Sequence, residues 1–182
     1  MAIGGRLGSR EPGEMSGSLT RKFVLHGEAE TRALGAAVSD AVEVGDVICL
    51  SGELGSGKTT FARGLIGALL DKSDQEDTVV SPTFTLVQSY EVHNLTVYHF
   101  DLYRVQHETE LVELGFDEAV DSGLVIVEWP ERLGGWLPEE RLAVELTGAG
   151  EQRRAGITGH GAWASRLGIM LLESAGREVS GD

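Results

Sequence analysis

The chain has one cysteine in 182 residues, Cys49. It cannot form an internal disulfide, and a lone cysteine within an apolar run reads as a small core residue rather than a reactive thiol. A reducing compartment is expected, with a cytoplasmic location. No run of about 18 or more apolar residues occurs, so the sequence predicts no membrane span. No charged start followed by an apolar stretch and a small-residue cleavage site marks export. Positive charge is also scarce: 15 Lys and Arg stand against 29 Asp and Glu, for a net charge of −14. Within the first 22 residues, Arg6, Arg10, Arg21 and Lys22 outweigh Glu11 and Glu14, leaving the remainder at −16. So acidic a surface repels a nucleic-acid backbone at long range. Unaided binding to DNA or RNA is not expected, whereas a protein partner with a basic face is favoured.

What is present is an ordinary globular composition, 41% hydrophobic, and one segment of high information. Gly52-Glu53-Leu54-Gly55-Ser56-Gly57-Lys58-Thr59 fits G-x-x-x-x-G-K-[ST], the Walker A or P-loop pattern. Asp46-Val47-Ile48-Cys49-Leu50-Ser51 before it reads as a buried strand, and Lys58 to Leu70 after it is apolar on nearly every face, as in a buried helix. Strand, glycine loop and helix together form the context a phosphate-binding loop requires. Gly52, Gly55 and Gly57 free the backbone to converge its N–H groups on phosphate oxygens at the positive end of the helix. Lys58 is placed to reach the β/γ-phosphates, and the Thr59 hydroxyl to bind Mg²⁺. The chain is therefore expected to bind a nucleoside triphosphate.

Residues 1–20, rich in Gly, Ser and Arg without periodicity, read as a disordered tail in which Met15 is an alternative start. Residues 21–174 read as a single nucleotide-binding domain and 175–182 as a second tail. Glu28 to Val42 has the apolar spacing of an amphipathic helix, and 71–77 reads as a charged surface loop. Thr78-Val79-Val80 and Phe84 to Val92 read as strands. His93-Asn94 turns the second into Leu95 to Phe100, so part of the sheet must be antiparallel. A helical stretch from Glu108 to Val120 leads to the buried strand Leu124 to Val127. Arg141 to Leu146 and Arg153 to Thr158 read as a hairpin. A closing helix runs from Ala162 to Glu173, with Trp163, Leu167, Met170 and Leu171 on one stripe. The expected class is α/β: a three-layer P-loop NTPase-like fold with a mixed parallel and antiparallel sheet.

A triphosphate site needs carboxylates at the ends of buried strands. Glu128 and Asp101 each directly follow such a strand, and both are candidate metal ligands and catalytic acids beside Lys58 and Thr59. Ser81-Pro82-Thr83-Phe84 reads either as a segment sensing metal and γ-phosphate or as an ordinary turn. Trp129 either covers the nucleotide or packs in the core. His99 and His107 flank Asp101, but H-x-D without softer ligands is a poor zinc site, and a packed or hydrogen-bonded His99 fits better. Arg104 reads by default as a surface salt-bridge residue.

In this order the segments resemble the TsaE family, bacterial ATPases of tRNA threonylcarbamoyladenosine biosynthesis. Besides the loop, which continues into Thr60-Phe61, the matching segments are Ser81-Pro82-Thr83-Phe84-Thr85-Leu86, His99-Phe100-Asp101-Leu102-Tyr103-Arg104, Glu113-Leu114-Gly115 and Glu128-Trp129-Pro130-Glu131. The resemblance spans about Glu28 to Leu172. It implies ATP or ADP with Mg²⁺ as cofactors, held by Gly52 to Thr60 with Trp129 and, on the first helix, Thr31. It implies metal contact by Thr59, Glu128 and Asp101, the last orienting either metal or water. It also implies two partner proteins that transfer threonylcarbamoyl to tRNA, with tRNA reached only through them. Two departures are visible: Glu53 stands where aspartate is usual, and Ser56 where alanine is common.

Rival readings fare worse. The only asparagine, Asn94, precedes Leu-Thr-Val, so the N-K-x-D that commonly selects guanine is missing. A metabolite kinase needs an arginine-bearing lid, and the only adjacent arginines, Arg153-Arg154, fall in the expected hairpin. A non-catalytic adaptor, gated by nucleotide occupancy, stays open as an alternative.

Overall fold

Two strands apolar along almost their whole length take the centre of the sheet, because helices cover both of their faces. They are β2 (Val47–Ser51) and β5 (Leu124–Glu128), paired in parallel with Ile48 opposite Ile126. In the computed structural model, which describes residues 17–70 and 79–173, β4 (Leu95–Asp101) extends the parallel set beside β5, and β6 (Leu142–Ala149) does so beside β2. Antiparallel strands finish both sides. β3 (Val87–Val92) pairs with β4, β7 (Gln152–His160) with β6, and β1 (Ser18–Leu25) with β7. The order of the seven strands is β1-β7-β6-β2-β5-β4-β3.

Alternation along the strands sends side chains into two cores. On one face Ile48, Leu50, Leu124, Ile126 and Val144 meet three helices: α1 (Gly27–Val38), α2 (Lys58–Leu69) and α5 (Ala162–Glu173). On the other, Val47, Cys49, Val125 and Val127 meet α3 (Thr109–Glu113), α4 (Phe116–Ser122) and the 3-10 turn Pro130–Trp136. This three-layer mixed α/β arrangement is the expected one. The α1 and α2 backbones come unusually close: a Cβ on Gly64 would lie 2.0 Å from the Arg32 carbonyl oxygen. That approach carries α1 up to the glycine loop. No helix among the described residues is long and apolar enough to cross a membrane.

Four expectations need correction or bounding. Ser18, Leu19 and Thr20 belong to β1, not to a tail; Arg21 and Lys22 disguise an edge strand in which charge is at home. Val79 and Val80 form no strand, and β3 begins at Val87 rather than Phe84. Leu86 takes a left-handed φ of 67° and its N–H closes a turn on the Pro82 carbonyl at 2.7 Å, which halts the extended chain. The expected helix over 108–120 is two helices, divided at Gly115, where φ is 70°. Residues 1–16, Thr78, the charged segment 71–77 and the terminal 175–182 lie outside the described residues. The 93–94 turn, the pairing of the β6–β7 hairpin and the span of α5 fall as the sequence predicts, while β6 runs on to Ala149 and β7 to His160, beyond the expected Leu146 and Thr158.

Candidate functional site

The loop leaves β2 at its C-terminal end and enters α2 through Gly57, whose φ of 110° no side-chain-bearing residue adopts comfortably. Gly57 offers no capping side chain, so the first-turn N–H groups of α2 lack both intrahelical and side-chain partners. A Cβ on Gly52 would fall 2.1 Å from the Leu146 carbonyl oxygen, so the loop is pressed against β6. The result is a curved run of backbone at a helix N-terminus, shaped for an anion.

Lys58 is buried in this curve. Its Nζ donates to the carbonyls of Gly52 at 2.7 Å and Glu53 at 2.8 Å, and lies 4.0 Å from the centroid of the Trp129 ring. Burial pushes its ammonium below the usual lysine pKa, while Glu128, Asp101 and Glu131 push it back upward. Trp129 is held in a left-handed conformation, φ 64° and ψ 54°, with its N–H on the Leu50 carbonyl at 3.2 Å. For a bulky residue this is strained backbone, and the strain aims the indole over Lys58. The Tyr103 ring packs on the indole at 4.9 Å.

Both candidate acids project to the α2 side of the sheet and are directly paired in register, Asp101 opposite Glu128. Glu128 accepts the Thr59 hydroxyl on Oε2 at 3.0 Å, and Oε1 lies 2.9 Å from His99 Nε2. His99 is fully buried, so it packs and hydrogen-bonds as expected; His107 is exposed and apart. Asp101 is wired elsewhere. Its Oδ2 accepts the Thr83 hydroxyl at 2.9 Å, Thr83 meets Ser81 Oγ at 2.8 Å, and Oδ1 accepts the Tyr103 N–H at 3.1 Å. Among the described residues Arg104 makes no salt bridge of the expected kind; its Nη2 donates to the carbonyls of Thr83 at 2.6 Å and Phe84 at 2.9 Å, pinning that segment.

The remaining predicted residues fall as follows. Glu53, Leu54 and Gly55 are exposed on the outer curve of the loop, Ser56 is buried, and Thr60 is half-buried in the first turn of α2. Thr31 is beside the loop, but its hydroxyl donates to the Gly27 carbonyl of its own helix at 2.9 Å, leaving its methyl toward Gly57. One residue escaped sequence reasoning: Arg153, whose Nη1 stands 3.2 Å from where a Gly57 Cβ would be. Only the pairing of β7 with β6 and β1 brings it there, and no local pattern announces it.

A hydroxyl and two carboxylates are hard oxygen donors, the set that suits Mg²⁺. Among the described residues no three His, Cys, Asp or Glu side chains form a metal-binding cluster. Mg²⁺ is commonly held by one or two carboxylates together with substrate phosphates, so the donors fit a metal that arrives with a phosphate chain.

A family model described as threonylcarbamoyl adenosine biosynthesis protein TsaE matches residues 25–155. The tRNA threonylcarbamoyladenosine biosynthesis protein TsaE of Rickettsia felis is 36% identical over 132 residues, covering 72% of this chain and 75% of that protein. Its Bacillus subtilis namesake is 38% identical over 126 residues, covering 69% and 76%. The crystal structure of Bacillus subtilis YdiB superposes with a TM-score of 0.69 at 28% identity, covering 89% of this chain and 99% of that one.

Proposed function

The chain belongs to the TsaE family, and from that premise we propose that it is a Mg²⁺-dependent ATPase serving threonylcarbamoyladenosine biosynthesis on tRNA. In this reading the elements from Ser18 to Glu173 form one nucleotide-binding domain of a cytoplasmic protein. It binds ATP and ADP, and hydrolysis drives turnover of a complex with two partner proteins that carry the transfer chemistry. Hydrolysis is slow or partner-dependent for the isolated chain.

The observation that carries the reading is the 3.0 Å hydrogen bond between Thr59 and Glu128. It joins the hydroxyl of the glycine loop to the carboxylate at the end of the neighbouring strand. The magnesium ion would be held by Thr59 and Glu128 and would neutralise charge on the β- and γ-phosphates. Lys58 exchanges its two carbonyl acceptors for phosphate oxygens, a stronger charge-assisted interaction. His99 holds Glu128 in one orientation, leaving Oε2 for the loop side. Asp101, tied to Thr83, would orient either the metal or the attacking water. Trp129 covers Lys58 and excludes solvent from it.

The acidity of the chain, −14 overall, supports indirect contact with tRNA: the partners grasp the RNA, and neither DNA nor membrane is engaged. Nucleotide-gated adaptor behaviour with little hydrolysis is the second reading. It is favoured by the Ser81–Thr83–Asp101 chain, which links the site to Phe84, 88% exposed.

The test is phosphate release and tRNA modification with both partners, using wild type and Lys58→Ala. Lys58→Ala is expected to lower ATP affinity by about a hundredfold or more, the loss of charged hydrogen bonds, and to stop multiple-turnover modification. Modification at the wild-type rate would refute the ATPase role. Nucleotide binding without phosphate release in the full complex would favour the adaptor.

A further inference from the structure

Arg153, the second residue of β7, is only 6% exposed. Its Nη2 is 3.7 Å from Oε1 of Glu28, an exposed carboxylate at the start of α1. That distance is too long for a hydrogen bond, and solvent screens the partner. Nε and Nη1 are buried and have no hydrogen-bond partner. Arg166 differs: its Nε is also buried without a partner, but its two Nη atoms grip the Asp46 carboxylate at 2.6 and 2.7 Å, whereas no Nη atom of Arg153 has such a bond. A guanidinium is charged at every accessible pH, and its buried donors are costly to leave unmade.

Those open donors sit at the anion end of α2. Nη1 is 3.2 Å, and the Thr31 methyl 3.3 Å, from the position a Cβ on Gly57 would take. A side chain there would crowd the Arg153 fork, and the φ of 110° already favours glycine. The sequence thus keeps a cation, with two N–H groups unspent, beside the uncapped first turn of the phosphate-binding helix. A guanidinium fork matches phosphate oxygens better than any protein group within its reach.

We propose that Arg153 is a nucleotide-contacting residue, whose Nε and Nη1 donate to the phosphate chain of the nucleotide on the glycine loop. The inference rests on the nucleotide-binding reading above and adds to it a second cation, on the opposite side of the loop from Trp129. It also gives the β6–β7 hairpin, far from the loop in sequence, a part in binding.

The experiment is calorimetric titration of the full chain with ADP, and competition of inorganic pyrophosphate against a fluorescent ADP, for wild type, Arg153→Met, Arg153→Lys and Lys58→Ala. Ligand-free melting is recorded in parallel. Arg153→Met is expected to weaken ADP and pyrophosphate alike by about ten- to a hundredfold. Its ligand-free melting temperature should equal or exceed that of wild type, since an apolar side chain of similar length replaces a buried charge whose partner Glu28 is exposed and 3.7 Å away. ADP affinity within twofold of wild type would overturn the proposal, as would a lowered ligand-free melting temperature with affinity kept. Weakened ADP with unchanged pyrophosphate would also overturn it, placing the contact on the sugar or base. If Arg153→Met does not fold, Arg153→Lys decides: more than a fivefold loss supports the contact, and wild-type affinity overturns it. Failure of the underlying reading looks different, because then wild type itself binds no ADP or Lys58→Ala binds it normally.

Discussion

The ends of β4 and β5 carry acids side by side, yet the two regions around them are built on opposite plans. Glu128 is fastened to the interior: a fully buried histidine on one oxygen and the first turn of α2 on the other. Asp101 is fastened to the exterior, to a hydroxyl on the exposed segment 83–85 and to the backbone of exposed Tyr103. That segment hangs on few ties: Arg104 on two carbonyls, Gln88 Nε2 on the Thr85 hydroxyl at 3.0 Å, the buried Pro82, and the left-handed Leu86. Two carboxylates of the same type and register thus differ in what would feel their loss. Disturbing Glu128 disturbs the scaffold, while disturbing Asp101 releases a surface segment.

The comparison breaks most sharply at Glu128. Glu128→Ala should abolish the Mg²⁺ enhancement of nucleotide affinity while keeping metal-free binding within about threefold, since the cradle is backbone-built. It should also cost roughly 1–3 kcal/mol of stability by stranding buried His99. Nucleotide titrations with and without Mg²⁺, with urea denaturation alongside, read both; a wild-type metal dependence would make Glu128 purely structural. Asp101→Ala is expected to cost less stability, about 1 kcal/mol or under, because its partners reach solvent. It should cut hydrolysis while leaving the metal dependence of binding in place, and the same two assays check this. Equal losses from both substitutions would erase the distinction between the regions. Thr83→Val should have a smaller effect still, leaving global stability within about 0.5 kcal/mol. Faster hydrogen exchange at the Leu86 amide, with the β5 amides unchanged, is the expected signature.

A separate probe, visible only at alkaline pH, reads the scaffold beneath both acids. Burial pushes the Cys49 thiol up to about 12, against a reference of 9.0, with Arg141 pulling slightly downward. The folded state therefore keeps a proton that the unfolded state releases. The stabilisation is complete below pH 9.0 and fades between there and about 12. At pH 10 wild type should have lost about 1 kcal/mol relative to Cys49→Ala, referenced to pH 8. Denaturation midpoints of the two proteins at both values measure it. Rapid alkylation of native Cys49 at pH 8 would show that this layer opens.

Much of this arrangement was legible beforehand because it is local. A glycine loop between an apolar run and an apolar helix has one economical fold, and acids ending buried strands face the loop by alternation. Thr59 and Glu128 were expected only as separate metal ligands; their direct hydrogen bond is visible in the structure alone. What the sequence hid depends on distant pairing or on single backbone angles. β1 carries Arg21 and Lys22 and reveals itself only against β7. The helix expected over 108–120 breaks at one glycine angle, and the strand expected from Phe84 is delayed by one leucine angle. Arg153 becomes meaningful only when β7 sets it against Gly57, 96 positions earlier in the chain.

The pairing of β1 with β7 has a consequence in time. The Thr20 and Thr158 hydroxyls meet at 3.0 Å across 138 residues of chain. On a ribosome adding about 5–20 residues per second, β1 emerges on the order of ten seconds before β7, its one strand partner among the described residues. Through that interval its backbone donors and acceptors stay open to neighbours, and the nascent chain cannot complete its sheet in the order it is made. The first of the described strands to be made must be among the last to dock, because β7, on which it pairs, is the last of them to be made.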